Sequence, residues 1–197
     1  MNWLAHLRLS EPNSAFRIGN LLPDIAPPSV LATLPHDFQR GIAQHKRIDA
    51  FTDSHPVVRQ SVSRIDPSLR RYGPIIVDLF YDHFLARNWR FYSDSELRAF
   101  VAGFYASIDD FRDILSGPLY DRLSQIREGD WICSYDSLEG MTTALTRISK
   151  RLQRPINLAQ AVKTLEQNYD AFEADFRAFF PVLGAHVLPP DPRFKTT

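Results

Sequence analysis

The sequence contains a single cysteine, Cys133, among its 197 residues. One cysteine excludes an intramolecular disulfide framework and any zinc site built from several thiolates. Its neighbours, Ile132 and Ser134, include no histidine that could activate a thiolate. We therefore expect Cys133 to be a buried, inert thiol.

Membrane and export signals are also missing. No apolar run approaches the ~20 residues that a helix needs to span a bilayer. The first residues lack the basic region followed by an apolar stretch that is typical of a signal peptide. We therefore expect a cytoplasmic protein with no membrane partner.

An excess of charge of one sign is missing too, because 23 Lys and Arg balance 23 Asp and Glu. A neutral total lacks the broad positive field of nucleic-acid-binding proteins, so we expect no nucleic-acid partner. Lysine is scarce, since 19 of the 23 cations are arginine. Arginine is the better bidentate partner for carboxylate and phosphate, although high-GC coding produces the same bias.

What the sequence does contain is a large apolar fraction, 44%, with 14 phenylalanines. Its 8 glycines lie mostly between segments of helical periodicity, and few stretches alternate with period two. These features predict an all-α fold of about seven helices in one compact domain over residues 1–187. Three prolines after residue 188 indicate a loose tail over 188–197. The longest predicted helices cover 36–53, 94–115 and 158–180, and the most apolar covers about 74–88.

Acids and a histidine recur at helical spacing within two of these predicted helices. His45, Asp49 and Asp53 step by four residues and therefore share one helix face, as do Asp78 and Asp82. Burying two carboxylates in the most apolar helix is costly unless a cation neutralises them. Oxygen and imidazole ligands suit Mn, Mg, Fe or Zn, so the two sets together favour a divalent metal site. The alternative is a salt-bridge network with the nearby arginines Arg47, Arg70, Arg71 and Arg87.

Two further residues bear on this site. Asp24 follows Pro23 and offers a carboxylate on a rigid turn, although an aspartate in that position more often caps a helix. His6 either orients a site group or is a packed histidine. The residues alone leave both alternatives open.

Four ordered blocks of sequence resemble the bacterial acyl carrier protein phosphodiesterases, also called acyl carrier protein hydrolases. These blocks are MNWLAHL at 1–7, GNLLPD at 19–24, GIAQHKRIDAFTD at 41–53 and DLFYDHFL at 78–85. The similarity continues to YDAFE at 169–173 and FFP at 179–181. It implies an all-α, HD-domain-like phosphohydrolase. The usual HD pattern has an adjacent His-Asp pair, whereas Asp82-His83 here is reversed and His36-Asp37 lies outside the blocks.

The resemblance also implies an activity. Members hydrolyse the phosphodiester that joins 4′-phosphopantetheine to a serine of holo acyl carrier protein, which gives the apo protein. They need a divalent cation, with Mn²⁺ favoured and Mg²⁺ or Fe²⁺ as alternatives. We therefore predict a metal site formed by Asp24, His45, Asp49, Asp78 and Asp82.

Catalytic roles beyond the metal are predicted for four residues. His83 or His6 would protonate the leaving serine oxygen. Arg47 would neutralise phosphate oxygens, and Asp53 would lie close to the metal.

The implied substrate is an acidic protein, so a local cationic patch is expected despite the neutral total. We predict that Arg59, Arg64, Arg70 and Arg71 form it, the alternative being an ordinary solvated face. Two other functions stay open at this stage. One is an HD-type phosphohydrolase acting on a nucleotide or another small phosphoester. The other is a non-catalytic helical binding protein in which the acids form salt bridges.

Overall fold

Helices account for the regular structure of the chain, which a computed structural model describes for residues 1–115 and 117–194. No strand occurs in these residues, so the predicted all-α class is confirmed. The α-helices of this part of the chain are α1 (Trp3–Arg8), α2 (Ser14–Leu21), α3 (Pro28–Leu31), α4 (His36–Ser54), α5 (Pro56–Ser63), α6 (Gly73–Arg87), α7 (Leu97–Ser107), α8 (Pro118–Glu128), α9 (Leu138–Ser149), α10 (Ala161–Gln167) and α11 (Tyr169–Val187). Short 3₁₀ turns cover Leu22–Asp24, Arg70–Tyr72, Trp89–Phe91, Asp109–Phe111, Cys133–Asp136, Leu158–Gln160 and Pro192–Phe194.

The α-helices of the described residues are more numerous than the seven or so predicted, and two long predicted segments are divided. The predicted helix over 94–115 ends as α7 at Ser107 and continues as a 3₁₀ turn. The predicted helix over 158–180 is split at Asn168, whose backbone leaves the helical region and whose side chain donates to the carbonyl of Thr164. The second part, α11, runs through Pro181 to Val187.

Helix α6 lies at the centre of the fold. Its buried residues cover every side of the helix, as expected for an element surrounded by others. It packs against α1, α5, α9 and α11. The aromatic stripe of α11 forms much of that core, since Phe172, Phe176, Phe179 and Phe180 are all fully buried. The stripe is therefore part of the core.

Helices α2 and α4 approach each other closely enough for their backbones to touch. A Cβ atom on Gly41 would lie 2.1 Å from the carbonyl oxygen of Phe16, and one on Gly19 would lie 2.3 Å from that of Phe38. Only glycine fits at either position. This contact brings Asn20 of α2 beside His45 of α4.

Residues after 188, which we expected to be loose, are packed as far as the structure describes them. Phe194 is 2% exposed and lies against the rings of Tyr92 and Phe180. Arg193 pairs with Asp94 at 2.7 Å. Residues 195–197 of the predicted tail lie outside the described part of the chain.

Candidate metal centre

Two buried histidines from different helices lie face to face, His6 on α1 and His45 on α4, with ring centroids 4.2 Å apart. Both Nδ1 atoms contact Asn20: that of His45 lies 2.8 Å from the backbone oxygen and that of His6 lies 3.0 Å from Oδ1. Asn20 Nδ2 donates to the carbonyl of His6 and to Ser10 Oγ, which identifies Oδ1 as the acceptor. Each Nδ1 must therefore donate, and each Nε2 points away from Asn20.

Both Nε2 atoms face the carboxylate of Asp49. His45 Nε2 lies 2.9 Å from Oδ2, and His6 Nε2 lies 3.2 Å from Oδ1. His45 Nε2 is also 3.8 Å from Asp24 Oδ1, and His6 Nε2 is 3.1 Å from the carbonyl oxygen of Met1. Since Asp49 is one helical turn after His45, the spacing of four residues found in the sequence produces this contact directly.

The Asp49 carboxylate is stabilised in its ionised form by its neighbours. Burial alone would raise the pKa of Asp49, but the two imidazoles and the amino group of Met1 hold it well below its ordinary value. Burial alone would lower the pKa of His45, yet the hydrogen bond to Asp49 and the charge of Asp24 raise it overall. The site therefore favours positive charge beside the carboxylate of Asp49.

The donor set fits a divalent cation. With Nδ1 protonated, a neutral imidazole presents a lone pair at Nε2, so both imidazole nitrogens that face Asp49 are acceptors, and the Met1 amino group donates to Oδ1 from 3.5 Å. Protons on both rings would place two positive charges 4.2 Å apart. One cation among these atoms would pair with the facing acceptors and would make protons on both rings unnecessary. The separations of 2.9–3.2 Å between each Nε2 and an oxygen of Asp49 suit ligand atoms that share an ion at ~2.0–2.2 Å. Anchoring of the opposite ring nitrogen is also typical of metal-binding histidines.

Two more of the predicted acids border this cluster. Asp24 lies on the Leu22–Asp24 turn and accepts a hydrogen bond of 3.0 Å from Trp3 Nε1. Asp78 of α6 lies 3.1 Å from the amino group of Met1, which is itself 3.5 Å from Asp49. Burial raises the pKa of Asp78, and the amino group partly offsets that effect.

An open cleft of about 270 Å³ gives solvent access to these acids. Asp24 and Asp78 line the cleft together with the apolar side chains of Ile75 on α6 and Ile148 on α9. The full lining is Met1, Asn2, Trp3, Asp24, Ile75, Asp78, Ile148, Arg151 and Leu152.

Asp82, predicted as a metal ligand, lies in a different environment. Its carboxylate is fully buried and accepts hydrogen bonds from the backbone amides of Leu4, at 2.7 Å, and Ala5, at 3.1 Å. These amides belong to the first turn of α1, where N–H groups have no partner within the helix. Burial raises the pKa of Asp82 to about 8. The geometry indicates that Asp82 anchors α1, and with it His6, instead of facing Asp49.

The predicted catalytic residues other than His6 also lie outside the cluster. His83 Nδ1 donates to the carbonyl of Tyr135 at 2.8 Å, its Nε2 lies 2.9 Å from the hydroxyl of Tyr169, and burial lowers its pKa. Arg47 is exposed and donates to the carbonyl of His186 at 3.2 Å. Asp53 is exposed.

The arginines predicted to dock a partner have mixed surroundings. Arg64 forms an ion pair with Asp175 and is partly buried. Arg59 and Arg70 donate to backbone carbonyls at the end of the preceding α-helix, those of Ser54 and Ser63. Arg71 is exposed.

Comparison with known proteins identifies the family. A family model described as "Acyl carrier protein phosphodiesterase" matches residues 1–183. The chain belongs to the acyl carrier protein phosphodiesterase family. The resemblance stated from the four sequence blocks is thereby confirmed, and all four blocks lie within the matched residues.

Individual relatives agree with this assignment. Proteins named acyl carrier protein phosphodiesterase match at 30% identity from Pectobacterium atrosepticum, covering 92% of this chain and 94% of the relative, and at 33% from Salmonella dublin, covering 95% and 97%. One from Photorhabdus laumondii subsp. laumondii matches at 29% and covers 93% of each chain. No solved structure matches the chain significantly. Among the described residues, no helix combines the length and apolarity needed to cross a membrane.

Proposed function

We propose that this protein hydrolyses the phosphodiester between 4′-phosphopantetheine and a serine of holo acyl carrier protein, using a divalent cation held by His6, His45 and Asp49. The observation that carries the proposal is the convergence of two imidazole Nε2 atoms and a carboxylate oxygen, which all lie within 4.8 Å of one another while each Nδ1 donates to Asn20. Family membership supports the substrate. Mn²⁺ is the preferred ion, with Mg²⁺ or Fe²⁺ as alternatives.

Residues around the ion have separate roles in this proposal. When bound, a divalent cation stabilises negative charge that develops on the phosphate. Asp24 and Asp78 border the cleft and are placed to complete the site and to orient the attacking water. Trp3 fixes Asp24 through its indole N–H. His6 thus moves from the predicted proton donor to a predicted ligand, and Asp82 from ligand to support.

The cleft supports a substrate that is only partly enclosed. Its volume of about 270 Å³ is slightly below the ~300–1,000 Å³ typical of pockets that bury a drug-sized ligand. It suits the phosphodiester and the first atoms of the arm, with the carrier protein outside. Ile75, Ile148 and Leu152 provide an apolar wall for the aliphatic part of the arm.

The direct test is incubation with holo acyl carrier protein and Mn²⁺, followed by intact mass measurement. We expect loss of the phosphopantetheine arm, no loss after chelation, and recovery when Mn²⁺ is restored. Asp49→Ala should abolish the reaction. Asp37→Ala is the matched control, because Asp37 is a partly exposed acid on the same helix that pairs with Arg40 outside the cluster.

Three results would contradict the proposal. Full activity of Asp49→Ala would place the site elsewhere. Hydrolysis of free nucleotides with the carrier untouched would favour a small-molecule phosphohydrolase. No hydrolysis together with no thermal stabilisation by Mn²⁺ would favour a binding protein, since a ligand of the native state must raise its stability.

A cytoplasmic location is part of the same proposal. The lone thiol, Cys133, is 4% exposed, and burial raises its pKa to about 12. The inert thiol predicted from the sequence is thus consistent with a reducing compartment.

A further inference from the structure

A dense group of cations lies where α9 ends. Residues 147–154 contain Arg147, Lys150, Arg151 and Arg154 and no acid. Arg122 of α8 lies beside them, because its guanidinium lies 5.0 Å from the centre of the Trp131 ring, which Arg147 also contacts. We call these five residues the basic rim. Within residues 1–115 and 117–194, none of the five forms an ion pair with a carboxylate.

The basic rim is joined to the acidic cleft by a stack of aromatic rings. The guanidinium of Arg147 lies 4.1 Å from the centre of the Trp131 ring. Trp131 stacks on Trp3 with centroids 6.1 Å apart and planes 8° apart, and Trp3 donates to Asp24. Arg151 lines the same cleft as Asp24. The rim therefore lies at the mouth of the cleft.

Concentrating positive charge here works against folding. Burial and the charge of Arg151 both lower the pKa of Arg147, although Tyr135 and Tyr105 have the opposite effect. Repulsion among neighbouring cations destabilises the folded chain unless a partner neutralises them. The protein as a whole is neutral, so the excess is local. A local excess of positive charge beside a cleft is better explained by recognition of an anionic surface than by a contribution to solubility.

We propose that the basic rim is the docking surface for the acidic face of acyl carrier protein and directs its phosphodiester into the cleft. This inference rests on the proposed function and adds the surface that selects the protein substrate. The supporting observations are charge complementarity, exposure of Lys150, Arg151 and Arg154, and continuity with the cleft. The patch predicted from the sequence is a weaker candidate, because Arg64 is already paired with Asp175.

The test compares two triple variants with the same change of charge. One is Lys150→Gln, Arg151→Gln and Arg154→Gln, which leaves the Arg147–Trp131 contact intact. The other is Arg59→Gln, Arg70→Gln and Arg71→Gln, which neutralises the rival patch. For the rim variant, we expect the KM for holo carrier at low salt to rise roughly 3- to 100-fold, the range for three exposed ion pairs. The dependence of KM on ionic strength should also become shallower.

Binding of apo carrier to metal-free protein separates this inference from the proposed function. The rim variant should bind apo carrier more weakly by a similar factor, and the rival variant should match the wild type. If the wild type cleaves holo carrier but the rim variant keeps its KM, its affinity and its salt response, the docking proposal is overturned and the activity stands. If the wild type binds carrier through the rim without cleaving it, the proposed function alone fails. A loss confined to the rival variant would assign docking to Arg59, Arg70 and Arg71.

Discussion

The side chain of Asn20 offers a sharp test of how the candidate metal centre is built. It is fully buried and makes three hydrogen bonds: 2.8 Å to the carbonyl of His6, 2.8 Å to Ser10 Oγ, and 3.0 Å from His6 Nδ1. Asn20→Ala removes all three. His45 is affected less, because its Nδ1 donates to the backbone oxygen of residue 20, which the substitution leaves in place.

The expected loss of stability follows from which groups remain paired. His6 Nδ1 is left buried without an acceptor, which costs about 1–3 kcal/mol. Ser10 Oγ still donates to the carbonyl of His6 at 2.7 Å, so the other two bonds cost only about 1 kcal/mol each. The total is about 3–5 kcal/mol. Because the ring of His6 is no longer held, the affinity for Mn²⁺ should fall about 10- to 100-fold.

Asn20→Asp is the matched control. It keeps an acceptor for His6 Nδ1, removes the two donors and adds a buried negative charge, so stability should fall while Mn²⁺ affinity is retained or rises. Urea denaturation in chelator measures the first quantity, and calorimetric titration with Mn²⁺ measures the second. Wild-type Mn²⁺ affinity in folded Asn20→Ala would refute the orienting role, as would equal loss of affinity in both variants.

Three further substitutions test the scaffold. Gly41→Ala places a methyl group 2.1 Å from the carbonyl oxygen of Phe16 and should destabilise by about 1–3 kcal/mol or more in urea denaturation; Gly103→Ala, which meets no atom within 4 Å, should not. Asp82→Ala leaves two buried amides of α1 unpaired and should cost about 2–6 kcal/mol in the same assay, with a smaller loss for Asp82→Asn. Burial lowers the pKa of His83 below 6.5, so the unfolded state binds more protons just below that pH and stability should fall as the pH drops from about 6.5. The denaturation midpoint of His83→Gln should depend less on pH between 7.5 and 5 than that of the wild type. Loss of turnover at neutral pH in the folded His83→Gln variant would instead support the predicted role of His83 as general acid.

The part of the site that could be predicted from the sequence is the part set by a single helix. His45 and Asp49 are four residues apart on α4, and helical periodicity alone brings Nε2 and the carboxylate together. The all-α class followed in the same way from periodicity. Boundaries were less predictable, since Pro181 does not end α11 and Asn168 divides a helix that the apolar pattern runs through.

Roles that depend on contacts between helices could not be predicted from the sequence. Asp78 and Asp82 lie four residues apart on one face of the same apolar helix, so the sequence predicts the same role for both. Only Asp82 accepts hydrogen bonds from the free amides of α1. His6 is oriented by Asn20, fourteen residues away, so its part in the cluster requires the tertiary fold. The GN pair at Gly19 is the one local signal, because glycine there allows α2 to reach α4.

The basic rim was missed for a similar reason. Its run of cations at 147–154 is visible in the sequence, but nothing there places it beside Asp24. That proximity is created by the stacking of Trp3 on Trp131, which joins the first helix to the segment after α8. Proximity in sequence to the predicted acids instead favours other arginines as the docking surface, and one of them, Arg64, is paired with Asp175.

The proposed function requires that His6, His45 and Asp49 hold one divalent cation. An anomalous difference map at the manganese absorption edge, from crystals soaked in Mn²⁺, locates the ion. We expect a peak about 2.0–2.2 Å from both Nε2 atoms and from a carboxylate oxygen of Asp49. A map with no peak there, or with the ion bound away from both histidines, would contradict it.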